Sequence, residues 1–249
     1  MILNRKTITI SAYNRTTELA TLLDQLLAYP DIKYYHFVIG VDYSYDYQGI
    51  IEHLIDTRLK DKVNYNLVCH TTHMGDYNNY NYLLKYVFDH LKSDFNWDFE
   101  DDDILVDGWS NLMEFYEKYC LDDSSIFSYH LRGFSGGEKV EKGNYLYKCY
   151  TFGAHGTGLK KTDWDSWYRN FCEQISISPS DKFVDYEGLT LNQMKKLNVY
   201  SIRPSVTRVL HQKVQGHHMT PESSEYFNSM MFQDEPYNDY YIRMLYELL

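Results

Sequence analysis

The feature that most constrains the fold is an alternation of strand-like and helix-like segments through the first part of the chain. Three runs rich in apolar and β-branched residues predict strands at 7–12, 35–41 and 64–69. After each run, apolar residues recur at helical spacing, and Thr16 or Thr17 is expected to cap the first helix. Strand–helix–strand units form right-handed crossovers in a sheet with mostly parallel strands. We therefore predict an α/β protein with a mixed, Rossmann-like sheet flanked by helices.

Polar residues follow each predicted strand at the point where it ends. Asn14 and Arg15 follow the first strand, Asp42 and Asp46 the second, and the segment 75–81 the third. Ligands of open α/β sheets bind at the carboxyl ends of the strands, so these loops are expected to line one crevice. The loops contain neither GxGxxG nor GxxxxGK[ST], which argues against dinucleotide-dependent dehydrogenases and P-loop enzymes.

Charge and composition exclude several further classes of protein. The chain has 24 Lys+Arg against 35 Asp+Glu, a formal net charge of -11, so no nucleic-acid partner is expected. No window reaches the ~18 apolar residues of a transmembrane helix, so we predict no integral membrane segment, and any membrane association is expected to be peripheral. The four cysteines, dispersed along the sequence, predict reduced thiols and a cytoplasmic protein.

An acidic cluster, Asp98-Phe99-Glu100-Asp101-Asp102-Asp103, precedes the apolar residues Ile104 and Leu105. Carboxylates this close together repel one another unless a cation neutralises them, and a hard divalent ion does so. In an extended segment, Glu100 and Asp102 would point to one side and Asp101 and Asp103 to the other. The alternative is a solvated acidic turn that binds no metal.

Four motifs in this order carry a resemblance to a known family. They are Tyr13-Asn14-Arg15, Val41 to Asp46, Gly75 to Asn81, and Phe99 to Leu105. Together they resemble the GT-A fold glycosyltransferases and are similar to the inverting family two. The acidic motif is of the DxD type, and its Glu-Asp-Asp form resembles that of the N-acetylglucosaminyltransferase family thirteen. The resemblance implies a single GT-A domain over 1–249, with a nucleotide-binding half at 1–103, an acceptor and catalytic half at 104–215 and a helical tail at 216–249.

The resemblance also implies a nucleotide-sugar donor, most simply a UDP- or GDP-sugar, and a carbohydrate acceptor. The implied cofactor is Mn²⁺ or Mg²⁺, held by Glu100, Asp102 and His211, with Asp102 as the direct ligand. For Gly156 and Thr157, a simple tight turn is the alternative to a role in donor binding. The residues expected to contact the donor are Ala12, Tyr13, Asn14, Arg15, Asp42, Gly75, Asn81, Asp101, Gly156 and Thr157.

The segment 183–189 resembles the part of the family that supplies the catalytic base. Inverting transfer needs one base that removes the proton of the acceptor hydroxyl. The resemblance implies Asp185 in this role, with Glu187 as the reserve. The alternative is that Asp185 only caps the helix that follows it.

Beyond residue 220, apolar spacing predicts a helical appendage, with helices around Tyr226 to Met231 and Tyr240 to Leu245, and an oligomer contact through them. Since Golgi relatives carry a membrane anchor, its absence favours a bacterial or viral setting. Three alternatives stay open. They are retaining transfer, a non-catalytic carbohydrate-binding protein, and a sugar-nucleotide nucleotidyltransferase, which should have a Gly-rich basic loop where this chain has Tyr13 to Thr17.

Overall fold

The computed structural model describes residues 3–133, 143–175, 185–212, 222, 225, 226, 228 and 241–244. The strands are β1 (Lys6–Ala12), β2 (Tyr35–Val41), β3 (Asn64–Cys69), β4 (Phe95–Glu100), β5 (Asp103–Leu105), β6 (Ile126–His130), β7 (Tyr145–Cys149), β8 (Thr157–Lys160), β9 (Tyr200–Pro204), β10 (Val209–His211) and β11 (Tyr241–Met244). The α-helices are α1 (Thr16–Leu27), α2 (Gln48–Leu59), α3 (Asp76–Lys85), α4 (Trp109–Tyr119), α5 (Lys161–Asp163), α6 (Arg169–Gln174) and α7 (Tyr186–Leu197). A 3₁₀ helix at Pro30–Tyr34 and π-helical turns at Tyr86–His90 and Trp164–Tyr168 complete the set.

These elements belong to two compact units. The first unit comprises the described residues of 2–101 and 158–189, and the second those of 102–157 and 190–249. The single domain with the three parts proposed from the sequence stays a prediction.

The first unit contains a mostly parallel sheet with strands in the order β8-β4-β1-β2-β3. β1 pairs in parallel with both β2 and β4, and β2 pairs in parallel with β3. The register aligns Ala12 with Val41, and Val41 with Cys69, so the loops after these three strands start at the same edge. The predicted α/β architecture is confirmed, and β2 and β3 have the predicted bounds.

The first unit buries the predicted apolar face of each helix against this sheet. In α1, Leu19, Leu22, Leu23 and Leu26 are fully buried, and so are Ile51 and Ile55 of α2, whereas Ile50 is exposed. One detail was wrong: α1 begins at Thr16, and Arg15 holds the cap position, its carbonyl accepting a bond from Leu19 N at 3.0 Å. Thr16 and Thr17 already lie in the first helical turn, where their hydroxyls are not at the cap.

The second unit contains strands in the order β11-β7-β9-β6 and a separate two-stranded pair, β10-β5. β9 is parallel to β6 and antiparallel to β7, and β11 is parallel to β7. The helix predicted over Tyr240 to Leu245 was wrong, because Tyr241–Met244 pairs with β7. A short apolar segment fits either period, and the available strand edge decides between them.

Most of the predicted helical tail lies outside the described residues. Residues 222, 225, 226 and 228 are helical, in agreement with a helix around Tyr226. Among the residues that the structure describes, no helix has the length and apolar character needed to cross a bilayer.

Candidate functional site

In the first unit, the Asp42 side chain is buried at the end of β2 and accepts several hydrogen bonds. Oδ1 accepts from Tyr43 N at 2.8 Å and Met74 N at 2.7 Å, and Oδ2 accepts from Gly75 N at 2.9 Å. His73 Nδ1 lies 2.9 Å from Oδ2. Hydrogen bonds to an ionised carboxylate are among the stronger ones in proteins. Asp42 therefore fixes the loop that leads into α3.

A second carboxylate of the first unit, Asp101, fixes the loop after β1. Its Oδ2 accepts from Tyr13 N at 3.1 Å, and its Oδ1 is 2.9 Å from Arg15 Nη1. Asp101 N in turn donates to Ser11 O at 3.1 Å. The backbone that follows β1 is thus bonded to the turn that follows β4.

These contacts bring together five of the predicted donor residues: Tyr13, Arg15, Asp42, Gly75 and Asp101. The Tyr13 ring is 41 % exposed and lies 5.2 Å from the His73 ring, centroid to centroid. Asn14 is exposed, Ala12 is buried at the end of β1, and Asn81 is half-buried on α3. The structure therefore offers an exposed aromatic surface above two buried, fully engaged carboxylates.

Sequence reasoning missed Asn79, which anchors α3 to the sheet. Its Nδ2 donates to Gly40 O at 3.0 Å, and its Oδ1 lies 3.0 Å from His70 Nε2. A Cβ on Gly40 would come within 2.3 Å of Asn79 Oδ1, so any other residue in β2 at this point would displace the Asn79 side chain. The single glycine inside the apolar run of β2 was the signal for this close approach.

Asp185 lies at the start of α7, is exposed, and caps the helix. Its Oδ1 accepts from Gly188 N at 2.8 Å. A Cβ on Gly188 would come within 2.3 Å of Asp185 Oδ2, so glycine leaves room for the carboxylate. Asp185 therefore makes the cap bond, and its role as a base stays a prediction. Glu187, the reserve, is half-buried in the first turn.

Between these two residues, Tyr186 is buried against α3. Its ring lies 5.0 Å from that of Tyr77 and 5.8 Å from that of Tyr80, measured between centroids. Burial raises the pKa of Tyr186 well above its ordinary value, and the nearby carboxylates of Asp76, Glu187, Glu100 and Asp98 raise it further. The tyrosine is therefore neutral, and Glu100 belongs to its surroundings in the first unit.

In the second unit, the antiparallel pairing of β5 with β10 places Asp103 opposite His211. His155, in the turn before β8, approaches both: its Nδ1 is 3.2 Å from Asp103 Oδ1, and its ring centroid is 3.9 Å from that of His211. One ligand atom from each of the three residues lies within 4.8 Å of the others. We call Asp103, His155 and His211 the Asp-His-His cluster.

The Asp-His-His cluster overlaps only in part with the predicted metal ligands. His211 belongs to both sets, and Asp102 Oδ2 is 3.8 Å from His211 Nδ1. The expected strand alternation was wrong, because Asp101 and Asp102 form a turn between β4 and β5. Glu100 and Asp102 are therefore not alternate residues of one strand, and Glu100 as a metal ligand stays a prediction.

The surroundings of the cluster keep His155 neutral. Burial lowers the pKa of His155 well below its usual value, and the nearby His211 and Arg132 lower it further, against an opposing effect of Asp102. Arg132 Nη1 lies 2.7 Å from His211 Nε2, and a guanidinium can only donate, so this nitrogen accepts. Neutral imidazole is the form that binds metal ions.

Gly156 and Thr157 pack inside the second unit. Gly156 has a φ of +56°, and a Cβ there would lie 2.8 Å from Val209 Cγ2. Its carbonyl accepts from Leu131 N at 2.9 Å, and Thr157 Oγ1 is 2.9 Å from His130 Nδ1. These contacts are those of a tight turn that presents His155, and the proposed contact of Gly156 and Thr157 with a donor stays a prediction.

Comparison with known proteins finds similarity in structure only. No family model and no curated protein matches the chain. The solved structure of S. aureus TarS 1-349 in complex with UDP-GlcNAc is similar over 86 % of this chain and 60 % of its own, with 15 % identity and a TM-score of 0.55. The mannosyltransferase PcManGT from Pyrobaculum calidifontis, in complex with GDP-Man and Mn²⁺, is similar over 80 % of this chain and 54 % of its own, with 17 % identity and a TM-score of 0.52.

The fold is that of the GT-A glycosyltransferases. The chain spans little more than half the length of these two solved structures. At such low identity, the likeness establishes the architecture, and the particular motifs of families two and thirteen stay predictions.

Proposed function

We propose that this chain is a metal-dependent glycosyltransferase that moves a sugar from a UDP- or GDP-sugar to a hydroxyl of a glycan, protein or lipid-linked acceptor, with inversion. The observation that carries the proposal is the Asp-His-His cluster on a GT-A fold. Of the two similar structures, TarS is in complex with UDP-GlcNAc and PcManGT is in complex with GDP-Man and Mn²⁺. A fold by itself does not specify an activity, so the proposal depends on the chemistry of these residues.

For the nucleotide, we assign the surface around the loop after β1. The Tyr13 ring is exposed enough to stack on a base, and Arg15 and Asn14 can donate to ribose or phosphate oxygens. Asp42 and Asp101 support this surface from below by fixing the two loops through their bonds to backbone N–H groups. Ala12, Gly75 and Asn81 complete the assigned set, and Gly156 and Thr157 are assigned to the donor sugar.

For the metal, the donor set fits a divalent ion. One carboxylate and two imidazoles can ligate at the same time, because their ligand atoms lie within 4.8 Å of one another. Asp103, His155 and His211 would hold the ion, with Asp102 close by and Glu100 retained as a proposed ligand. A bound Mn²⁺ or Mg²⁺ supplies stabilisation of the negative charge on the diphosphate leaving group.

For the proton, we assign Asp185. In an inverting transfer the acceptor oxygen attacks the anomeric carbon on the face opposite the diphosphate, and its proton passes to a carboxylate. Asp185 is exposed, and its cap bond to Gly188 N holds one oxygen at the start of α7. Glu187, two residues further along the chain, is the alternative base.

The substitution Asp185→Asn separates the cap from the base. Asparagine caps a helix about as well as aspartate, but its amide cannot take up the proton. We expect unchanged melting temperature and donor binding, and a loss of at least ~10²-fold in transfer rate. The substitution Glu187→Gln is the matched control and should leave most of the rate. Full transfer by Asp185→Asn with loss in Glu187→Gln would move the base to Glu187.

Donor binding is tested by thermal shift with UDP, GDP and their sugars, with and without Mn²⁺. A ligand that binds only the native state raises its melting temperature by mass action. We expect a metal-dependent rise with one nucleotide, followed by product formation with its sugar. If no nucleotide raises the melting temperature, the proposal fails in favour of a carbohydrate-binding protein.

A further inference from the structure

We infer that the Asp-His-His cluster selects a transition-metal ion such as Mn²⁺ over Mg²⁺, and that His155 is the residue that imposes this choice. The inference deepens the proposed function and rests on it for the role of the metal. It follows from the strands and the turn that position the three side chains, and from the ions that their nitrogen and oxygen atoms prefer.

The cluster is built by elements that leave its side chains little freedom. The pairing of β5 with β10 holds Asp103 and His211 directly opposite each other, at positions where cross-strand side chains are neighbours. Asp103 is fully buried and His211 nearly so. A buried carboxylate is costly unless charged or polar partners surround it, and here imidazoles face it.

His155 enters the cluster because of the turn that carries it. Gly156 adopts a φ of +56°, which favours glycine, and a Cβ there would press on Val209 Cγ2 at 2.8 Å and displace it. Thr157, the residue after Gly156, is fixed by its Oγ1, which lies 2.9 Å from His130 Nδ1. The imidazole between Ala154 and Gly156 is therefore directed at Asp103, 3.2 Å away.

The choice of ion follows from the ratio of nitrogen to oxygen donors. Mg²⁺ binds oxygen ligands in near-ideal octahedral geometry and retains most of its water. Imidazole nitrogen suits transition metals, and affinity for them rises from Mn²⁺ towards Cu²⁺. With His155 the cluster offers two nitrogens for one carboxylate, and without it one nitrogen for one carboxylate. His155 thus shifts the balance away from Mg²⁺.

Arg132 opposes cation binding at this cluster. Arg132 donates from Nη1 to His211 Nε2, so its positive charge lies next to the site. Like charges repel over such short distances, and the same nitrogen cannot bind the guanidinium and an ion at once. We therefore expect Arg132→Gln to bind Mn²⁺ more tightly than the wild type, which is the opposite direction to every substitution in the cluster.

The test is a titration of the chelator-treated full chain with Mn²⁺, in the absence of nucleotide, followed by the loss of the free-ion signal in electron paramagnetic resonance. Displacement by Mg²⁺ in the same samples gives the ratio of the two affinities. We expect His155→Asn to lose at least about tenfold in Mn²⁺ affinity, with little change for Mg²⁺. We expect His155→Asp, which replaces a nitrogen donor with oxygen, to shift the ratio towards Mg²⁺. The control His53→Asn removes an exposed histidine of α2 and should change neither affinity.

A measurement on the wild type alone tests the inference without relying on the folding of any variant. Pulsed resonance of bound Mn²⁺ should show coupling to imidazole nitrogen, and its absence would overturn the inference. Equal Mn²⁺ affinities for the wild type and a folded His155→Asn would overturn it as well, as would a wild type that binds Mg²⁺ as tightly as Mn²⁺. These outcomes are independent of sugar transfer: selective Mn²⁺ binding without transfer would retain the inference and reject the proposed function, and transfer with unselective binding would do the reverse.

Discussion

Asp42 in the first unit and Asp103 in the second are both buried aspartates next to a strand end, yet they have different kinds of partner. Three backbone N–H groups donate to Asp42 and one exposed imidazole, that of His73, lies beside them, whereas the partners that face Asp103 in its cluster are two imidazoles. Backbone donors are fixed by the fold and cannot be exchanged for a ligand. Imidazoles can give up a hydrogen bond and bind an ion instead. The partners of a buried carboxylate, more than its burial, therefore indicate whether it supports a loop or serves chemistry.

The largest expected effect is on stability, from Asp42→Ala. The substitution leaves three part-buried N–H groups without their acceptor, so we expect a loss of about 3 to 5 kcal/mol in the free energy of unfolding. Urea denaturation measures it. Asp46→Ala, four residues along the same loop and exposed, is the matched control and should stay within about 0.5 kcal/mol. A loss below about 1 kcal/mol in Asp42→Ala would break the comparison, because Asp42 would then not be a structural carboxylate.

The second effect is metal-dependent stabilisation, which should require Asp103 and not Asp42. At Mn²⁺ concentrations a hundred times the dissociation constant, the wild type should gain about 2.7 kcal/mol in the free energy of unfolding. Asp103→Asn removes a charged ligand and should gain almost nothing. The measurement is thermal or urea unfolding with and without Mn²⁺. A full gain in Asp103→Asn would place the metal elsewhere.

The third effect is a pH dependence of stability, and it comes from a third carboxylate, Asp163. Asp163 is largely buried, pairs with Lys160 at 3.3 Å, and burial raises its pKa to about 6 despite the lysine. An acid whose pKa is higher in the folded state binds its proton more tightly there, so stability falls as the pH rises from about 4 to above 6. We expect Asp163→Asn to remove about 2 kcal/mol of this loss, measured by urea denaturation at pH 4.5 and 7.5. An unchanged pH dependence in the variant would contradict the assignment.

The smallest effect concerns the turn that presents His155. Gly156→Ala forces a left-handed backbone on alanine and presses a methyl group on Val209, so we expect a loss of about 1 to 2 kcal/mol in the free energy of unfolding. Gly49→Ala in α2, where a Cβ meets open space, is the matched control and should be neutral or slightly stabilising. If both variants unfold alike, the turn does not constrain His155.

Local pattern was enough to predict the first three strands of the first unit and the helices that follow them. The apolar runs of β2 and β3 are unambiguous, and the parallel order follows from the helices between them, so the convergence of the loops after β1 and β2 could be foreseen. The cap bond of Asp185 was also foreseen, as one of two interpretations.

The second unit depends on pairings that local pattern does not contain. Asp103 and His211 are more than a hundred residues apart, and their register across β5 and β10 decides that they meet. The turn at Asp101 and Asp102 interrupts an alternation that was assumed to continue. His155 is a single histidine whose role depends on Gly156 and on the strand it packs against. For the same reason β11 was taken for a helix.

The position of β11 has a consequence for how the chain behaves if it is cut. β11 pairs along β7, which would otherwise be the outer strand of its sheet. A bare strand offers a row of backbone donors and acceptors to any neighbouring molecule, and natural proteins protect such rows against intermolecular pairing. Removing residues 241–244 would therefore expose β7 as an edge strand of the second unit and promote aggregation.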